Sequence, residues 1–213
     1  AALGRRKIKI AHKKFCEANQ EWLEDYTVFM ALKHKYQGSR WDNWSAEDQS
    51  ASAETRKRCI EELGDIIEFH RFLQSEFAAQ WHALRAYANS KNVKFVGDIP
   101  IFVGYDSSEV WGNKQAFKLD EHYKPTVVAG CPPDAFAATG QLWGNPHYNW
   151  QHMMDTDFAW WKQRFAKQFE LYDIVRIDHF RGFAAYWEIP ASAPTAEEQY
   201  GAKWVYGYGN ELF

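Results

Sequence analysis

Residues 175–183 read VRIDHFRGF, with an arginine two positions before an aspartate and a histidine directly after it. On a β-strand, side chains two apart share a face, so Arg176 and Asp178 would point one way while Val175 and Ile177 bury on the other. A guanidinium beside a carboxylate holds it charged and oriented. Such a carboxylate, fixed at a strand end, is the group a retaining glycosidase uses as its nucleophile toward an anomeric carbon. The same spacing suits a structural Arg–Asp pair, and the pattern by itself leaves both readings open. Asp98 closes part of an earlier β-branched run, so two aspartates are expected at strand ends.

The elements that must position these residues are read from periodicity. Over residues 8–36, Phe15, Trp22, Tyr26, Phe29 and Leu32 recur at steps of three, four and seven, which predicts one amphipathic helix ended by Gly38. The span from Ser45 to Asp48 resembles a capping box that opens a second helical stretch carrying Arg56, Lys57, Glu61 and Glu62 on its wet side. A third, longer helix follows Gly64. Its positions Ile66, Phe69, Leu73, Phe77, Trp81, Leu84 and Ala88 are expected to pack against the first two.

After Asn89 the period changes. Residues 93–103 predict a buried strand whose functional end is Gly97-Asp98, and residues 104–150 predict a long functional loop with short helical turns. A helix over residues 157–170, with Phe158, Trp161, Phe165 and Phe169 on one face, leads into a strand over 173–177. Strand, connection, helix and strand form the unit of a parallel sheet, so the fold class is α/β. A (β/α) barrel fragment places polar groups at the carboxyl ends of its strands, and a doubly wound sheet competes with it.

Composition narrows the partners. The aromatic share of 17% exceeds what core packing needs and suits stacking against the apolar face of a pyranose. A net charge of -3 with dispersed Lys and Arg gives no footprint for nucleic acid or an anionic membrane. Cys16, Cys59 and Cys131 are odd in number and widely spaced, which predicts neither a disulfide framework nor a zinc site and fits a reducing, cytoplasmic compartment. His147 and His152, five apart, do not share a helix face as metal ligands would, and Gly201, Gly207 and Gly209 are too interrupted by aromatics to cradle phosphate.

In chain order the sequence also carries GDIPIFV, DSSEVW, PPDAF, GQLWGNPHYNW and RIDHFRGF. This series resembles the 4-α-glucanotransferase family, the amylomaltases or disproportionating enzymes of the α-amylase clan. It is strong over residues 93–183 and weaker over 15–213, where Asn19, Trp22, Leu23, Trp41 and Trp44 resemble the family's helical insertion. The resemblance implies a fragment of a (β/α)8 TIM barrel: residues 1–90 form a helical insertion subdomain, and 91–213 carry the third and fourth strands and a lid loop.

It further implies that Asp178 is the nucleophile, supported by Arg176 and Asp98, and that His179 contacts sugar. Residues 132–150 resemble the lid, with Asp134 and Phe136 at its tip and Trp143 and Asn145 at its base, and all four are implied to bind substrate. Family lids carry a large aromatic directly after that aspartate, where this chain has Ala135. The implied partners are malto-oligosaccharides and α-glucans derived from starch or glycogen, in the cytoplasm or, in a plant, a plastid; no metal or organic cofactor is implied. The acid/base glutamate of the family is expected beyond Phe213. The alternatives are a related α-glucan hydrolase or debranching enzyme, and a non-catalytic glucan-binding segment.

Overall fold

The computed structural model describes the backbone of residues 2–213 and the side chains of residues 9–213. The chain divides into two compact units, the first ending at Lys94 and the second running Phe95–Phe213.

The first unit is helical. The single helix expected over residues 8–36 is two, α1 (Ala2–Ala18) and α2 (Gln20–Lys35), interrupted at Asn19. The cause is local: the Asn19 side chain donates to the Phe15 carbonyl at 2.8 Å and accepts from Trp22 Nε1 at 3.0 Å, competing with regular helix geometry. Helix α2 buries Leu23, Thr27, Val28, Ala31 and Leu32 along one stripe. Its end is a Schellman turn in which Gln37, at φ 53°, takes the left-handed position, with the Gln37 N–H on His34 O and the Gly38 N–H on Lys33 O.

The second expected helix also divides. Ser45 caps α3 (Ala46–Ser50) by accepting from the Asp48 N–H at 3.2 Å. Ala51 then turns left-handed, and Ser52 caps α4 (Ala53–Glu62). The Asp48 carboxylate does not complete a capping box. It is buried, accepting from Lys35 Nζ at 2.9 Å and Tyr36 Oη at 2.7 Å and pairing with Arg58.

Helix α5 (Gly64–Ser90) follows Gly64 as expected, but a different face packs. Ile67 and Ser75 are buried and Gln74 reaches the Tyr26 hydroxyl, whereas Phe69, Leu73, Phe77 and Leu84 are exposed. Small and polar residues let α5 lie close to its neighbours, and the bulky rings point away.

The second unit is built on two sheets. Strands β1 (Val96–Pro100) and β4 (Ile174–Asp178) pair in parallel, with Asp98 opposite Arg176 and Pro100 opposite Asp178. Gly97 is required where it stands, because a Cβ there would lie 2.2 Å from Tyr172 Cδ2. The stretch expected as loop contains α6 (Ser108–Gly112) and two strands, β2 (Val127–Cys131) and β3 (Gln141–Pro146). These join β5 (Ala185–Pro190) and β6 (Lys203–Tyr206) in an antiparallel sheet of order β3-β2-β5-β6. This sheet was not expected. Its strands are four to six residues long and are defined by pairing across the chain, which local periodicity does not report.

Helix α7 (Trp150–Asp155) precedes α8 (Ala159–Leu171), which packs on both β1 and β4. Phe158, expected inside α8, lies just before it at φ 52°, and Phe169 is exposed. A last short helix, α9 (Gly209–Leu212), ends the chain. The core of this unit is aromatic: Trp111, Tyr148, Trp161 and Tyr186 are essentially inaccessible, and truncating any one of them costs roughly 3–5 kcal/mol.

Candidate active site

The pleat of β1 and β4 puts Val96, Asp98 and Pro100, and Ile174, Arg176 and Asp178, on exposed positions of the two-stranded sheet. Register then does what spacing along one strand cannot. Arg176 donates from Nη1 to Asp98 Oδ2 at 2.7 Å and from Nη2 to Asp178 Oδ1 at 2.5 Å. One guanidinium therefore ties the two carboxylates together, Asp178 at the end of β4 and Asp98 in the middle of β1, which runs on to Pro100 where an end at Asp98 was expected and is exposed on one face where a buried strand was expected. All three side chains stay more than half exposed, at 53% for Asp98, 60% for Arg176 and 52% for Asp178. An accessible carboxylate fixed by one arginine can meet an electrophile.

His179 leaves the strand in the left-handed region, φ 52° and ψ 41°. This is uncommon for a residue with a side chain and is the kind of local strain found where a group must be aimed. Gly182 makes room first for Ile101 and then for the ring, since a Cβ there would lie 2.6 Å from Ile101 Cδ1 and 3.2 Å from His179 Cδ2. Trp143 meets the imidazole edge-on, with centroids 5.3 Å apart. Burial pushes the His179 pKa below the ordinary histidine value, opposed by the Asp178 charge and reinforced by Arg181. A neutral imidazole beside Asp178 can both donate to and accept from a hydroxyl-rich ligand.

The hairpin of β2 and β3 carries the other expected residues. Trp143 is partly exposed and donates from Nε1 to Gln141 Oε1 at 2.8 Å. Asn145 turns its amide onto the Val103 carbonyl at 2.9 Å, so it braces the chain leaving β1. At the hairpin tip, Asp134 Oδ1 accepts from the N–H groups of Phe136 and Ala137, and Phe136 is 97% exposed. Gly140 adopts positive φ in the turn before β3, and Gly144 does so within β3, whose pairing with β2 is irregular. The structure thus brings Asp98, Arg176 and Asp178 together, and His179 with Trp143. Among the described residues it places no contact between Asp134 or Phe136 and that cluster.

Two residues of this neighbourhood were not singled out from the sequence. Arg181, inside the RIDHFRGF motif, lies over the Trp204 ring at 4.2 Å and acts on His179. Gln199 accepts from Trp187 Nε1 at 2.6 Å and donates to the carbonyls of Cys131 and Gln141, fastening both strands of the hairpin. Motif membership could have flagged Arg181. Gln199 has no such signal, because its role depends on contacts far apart in sequence.

Two buried titratable groups of this unit belong to packing. His147 is fully buried, with its Nε2 3.2 Å from Trp187 O, and burial lowers its pKa to about 4. Glu188 is buried and paired with Lys118 at 2.5 Å. The thiols of Cys16, Cys59 and Cys131 are free. Among the described residues no cluster of three His, Cys, Asp or Glu side chains is arranged to hold a metal ion, and no helix is long and apolar enough to cross a membrane.

A family-wide sequence profile described as 4-alpha-glucanotransferase matches residues 4–213. A 4-alpha-glucanotransferase of Clostridium butyricum is 46% identical over 201 residues, which cover 94% of this chain and 41% of the relative. Among solved structures, an amylomaltase from Streptococcus agalactiae in complex with acarbose superposes with a TM-score of 0.86 at 37% identity, over 94% of this chain and 40% of that one. An amylomaltase from Corynebacterium glutamicum, at 14% identity and a TM-score of 0.73, shares the fold. The chain therefore spans about two fifths of the length of the Clostridium butyricum and Streptococcus agalactiae relatives.

Proposed function

Because the chain belongs to the 4-alpha-glucanotransferase family, whose profile matches nearly all of it, we propose that it acts within a longer polypeptide as the nucleophile-bearing part of such an enzyme. In this reading β1 and β4 are the third and fourth strands of a (β/α)8 barrel, the unit ending at Lys94 is a helical insertion, and the β2–β3 hairpin is a lid. The observation that carries it is the Arg176 guanidinium shared between Asp98 and Asp178 on the open face of the parallel pair.

That geometry is consistent with the two-step retaining chemistry of the family. An Asp178 oxygen attacks the anomeric carbon of an α-1,4-linked glucan as the bond to the leaving sugar oxygen breaks, giving a glycosyl-aspartate. The hydroxyl of a second glucan then attacks the same carbon, releases the carboxylate and restores the α configuration. Protonation of the leaving oxygen and deprotonation of the acceptor need a second carboxyl group roughly 5 Å away. Glu188 is unsuited, being buried against Lys118, and the family resemblance assigns that group to another part of the polypeptide. Arg176 and Asp98 hold the nucleophile, the neutral imidazole of His179 bonds sugar hydroxyls, Trp143 offers a stacking surface, and Asn145 braces the lid base. Asp134 and Phe136 reach an acceptor from the hairpin tip.

Malto-oligosaccharides are the assigned substrates, a reading supported by the acarbose complex of the Streptococcus agalactiae amylomaltase. Three free thiols fit a reducing compartment such as the cytoplasm or a plastid stroma. The test is trapping. A fluorinated maltosyl fluoride incubated with the full-length enzyme should add one glycosyl mass, and peptide mapping should place it on the segment containing Arg176, Asp178 and His179. A label on a different carboxylate would remove Asp178 from this role, and no covalent label with intact sugar binding would favour a binding segment.

A further inference from the structure

The chain leaving β1 is held through three backbone carbonyls, and each is taken by a side chain from a later element. Arg164 Nη2 donates to Pro100 O at 2.6 Å, the Tyr148 hydroxyl donates to Ile101 O at 2.6 Å, and the Asn145 amide donates to Val103 O at 2.9 Å. Arg164 Nη1 lies 3.4 Å from both Ile101 O and Tyr148 Oη, so the guanidinium bridges two of the three fastenings.

Arg164 is itself clamped. Its Cζ sits 5.3 Å from the Trp160 ring centroid and 5.1 Å from that of Trp161, and Trp161 is completely buried. A planar guanidinium can lie against indole rings while its fork meets two carbonyls. An ammonium group offers a point charge without that geometry. The helix that carries Arg164, α8, packs on both β1 and β4.

What Arg164 fixes is the strand end opposite the proposed nucleophile. Pro100 pairs with Asp178 in the β1–β4 register, and two residues earlier Asp98 pairs with Arg176 and accepts its hydrogen bond. A shift at the exit of β1 moves Asp98, and with it the guanidinium that Asp98 shares with Asp178. Misplacing a reacting group by about 1 Å can cost on the order of a hundredfold in rate.

We propose that Arg164 is a positioning residue for glucan transfer: by locking the carboxyl end of β1 it sets the Asp98–Arg176 pair and so aims the Asp178 carboxylate. This rests on the reading of Asp178 as nucleophile. It predicts that Arg164 variants lose rate in forming the covalent intermediate while retaining sugar affinity.

The test uses the full-length enzyme and its Arg164→Lys and Arg164→Ala variants. Adduct formation with a fluorinated maltosyl fluoride, kcat and KM for maltotriose, and thermal melting are measured on each. Arg164→Lys keeps the charge and a bond to Pro100 O but loses the fork. It should melt cooperatively, slow adduct formation about tenfold and leave KM within about twofold. Arg164→Ala should slow the same step about a hundredfold. If the alanine variant does not fold, the lysine variant decides. A folded Arg164→Lys enzyme that forms adduct at the wild-type rate, or that loses activity through KM alone, overturns the assignment. Wild-type enzyme unlabelled at Asp178 would instead overturn the nucleophile reading.

Discussion

Each unit holds an aspartate gripped by basic residues, and the two differ in a way that separates structure from chemistry. Asp48 in the helical unit has a side chain only 1% exposed, and its oxygens are taken by Lys35, Tyr36 and Arg58 from different directions. Asp178 is 52% exposed and, among the described residues, accepts from Arg176 alone. A carboxylate saturated with donors in the interior has no lone pair left for a ligand, and its value is in holding elements together. One held by a single arginine at an open strand end adds little to stability, since exposed ion pairs are worth about 0–1 kcal/mol. Both clusters look alike as counts of salt bridges, and burial with donor number tells them apart.

The largest expected effect tests the chemical side of this contrast. Asp178→Asn in the full-length enzyme should lower transfer from maltotriose by on the order of a thousandfold or more, with stability unchanged to about 0.5 kcal/mol. Chromatographic assay of glucose and longer oligomers, beside a melting curve, checks both halves. Near-normal turnover would erase the distinction. The opposite pattern is expected of Asp48→Ala: leaving Lys35 and Arg58 without their buried partner should cost about 3–5 kcal/mol in denaturant unfolding, while activity per folded molecule stays at the wild-type level.

A third experiment asks whether buried titration is read in stability. The His147 pKa is lowered by burial from 6.5 to about 4, so the native state resists the proton that the unfolded chain accepts. The stabilisation is fully present above pH 6.5 and is lost as pH falls toward 4, with a slope of at most about 1.4 kcal/mol per pH unit. Unfolding curves of His147→Gln should show a shallower dependence across that window. An unchanged slope would mean that other groups carry the acid sensitivity. The smallest effect is Trp143→Ala, which should weaken malto-oligosaccharide affinity about tenfold by calorimetry through lost stacking. Unaltered affinity in a folded variant would make Trp143 a packing residue only.

Much of the candidate site was legible because it depends on a period of two. Arg176 and Asp178 share an exposed face, and Val175 and Ile177 take the other, as alternation along a strand demands. That Asp98 faces Arg176 was not legible, because register between strands 78 residues apart is a tertiary fact. The conformation of His179 was likewise hidden, since it reflects the packing of Gly182 and Trp143. Among the helices, α5 was recognised, yet its inward face was misread. Large apolar residues marked a stripe, but the contact side uses Ile67, Gln74 and Ser75. The breaks at Asn19 and Ala51 come from side-chain competition and a left-handed turn within otherwise helical sequence. The antiparallel sheet was missed because strands as short as KWVY have no period long enough to count.

The edge contact between Trp143 and His179 also has an optical consequence. Indole emission shifts to longer wavelength with polarity, so Trp41, Trp111 and Trp161, all fully buried, emit at the short-wavelength side, and the partly exposed Trp143 contributes to the red edge. Protonated imidazole quenches indole, and burial keeps His179 neutral to lower pH than usual, which leaves Trp143 bright near neutrality. A sugar ring laid over Trp143 would exclude water and move that red-edge light to shorter wavelength, so the residue beside His179 would serve as a built-in fluorophore for the proposed stacking.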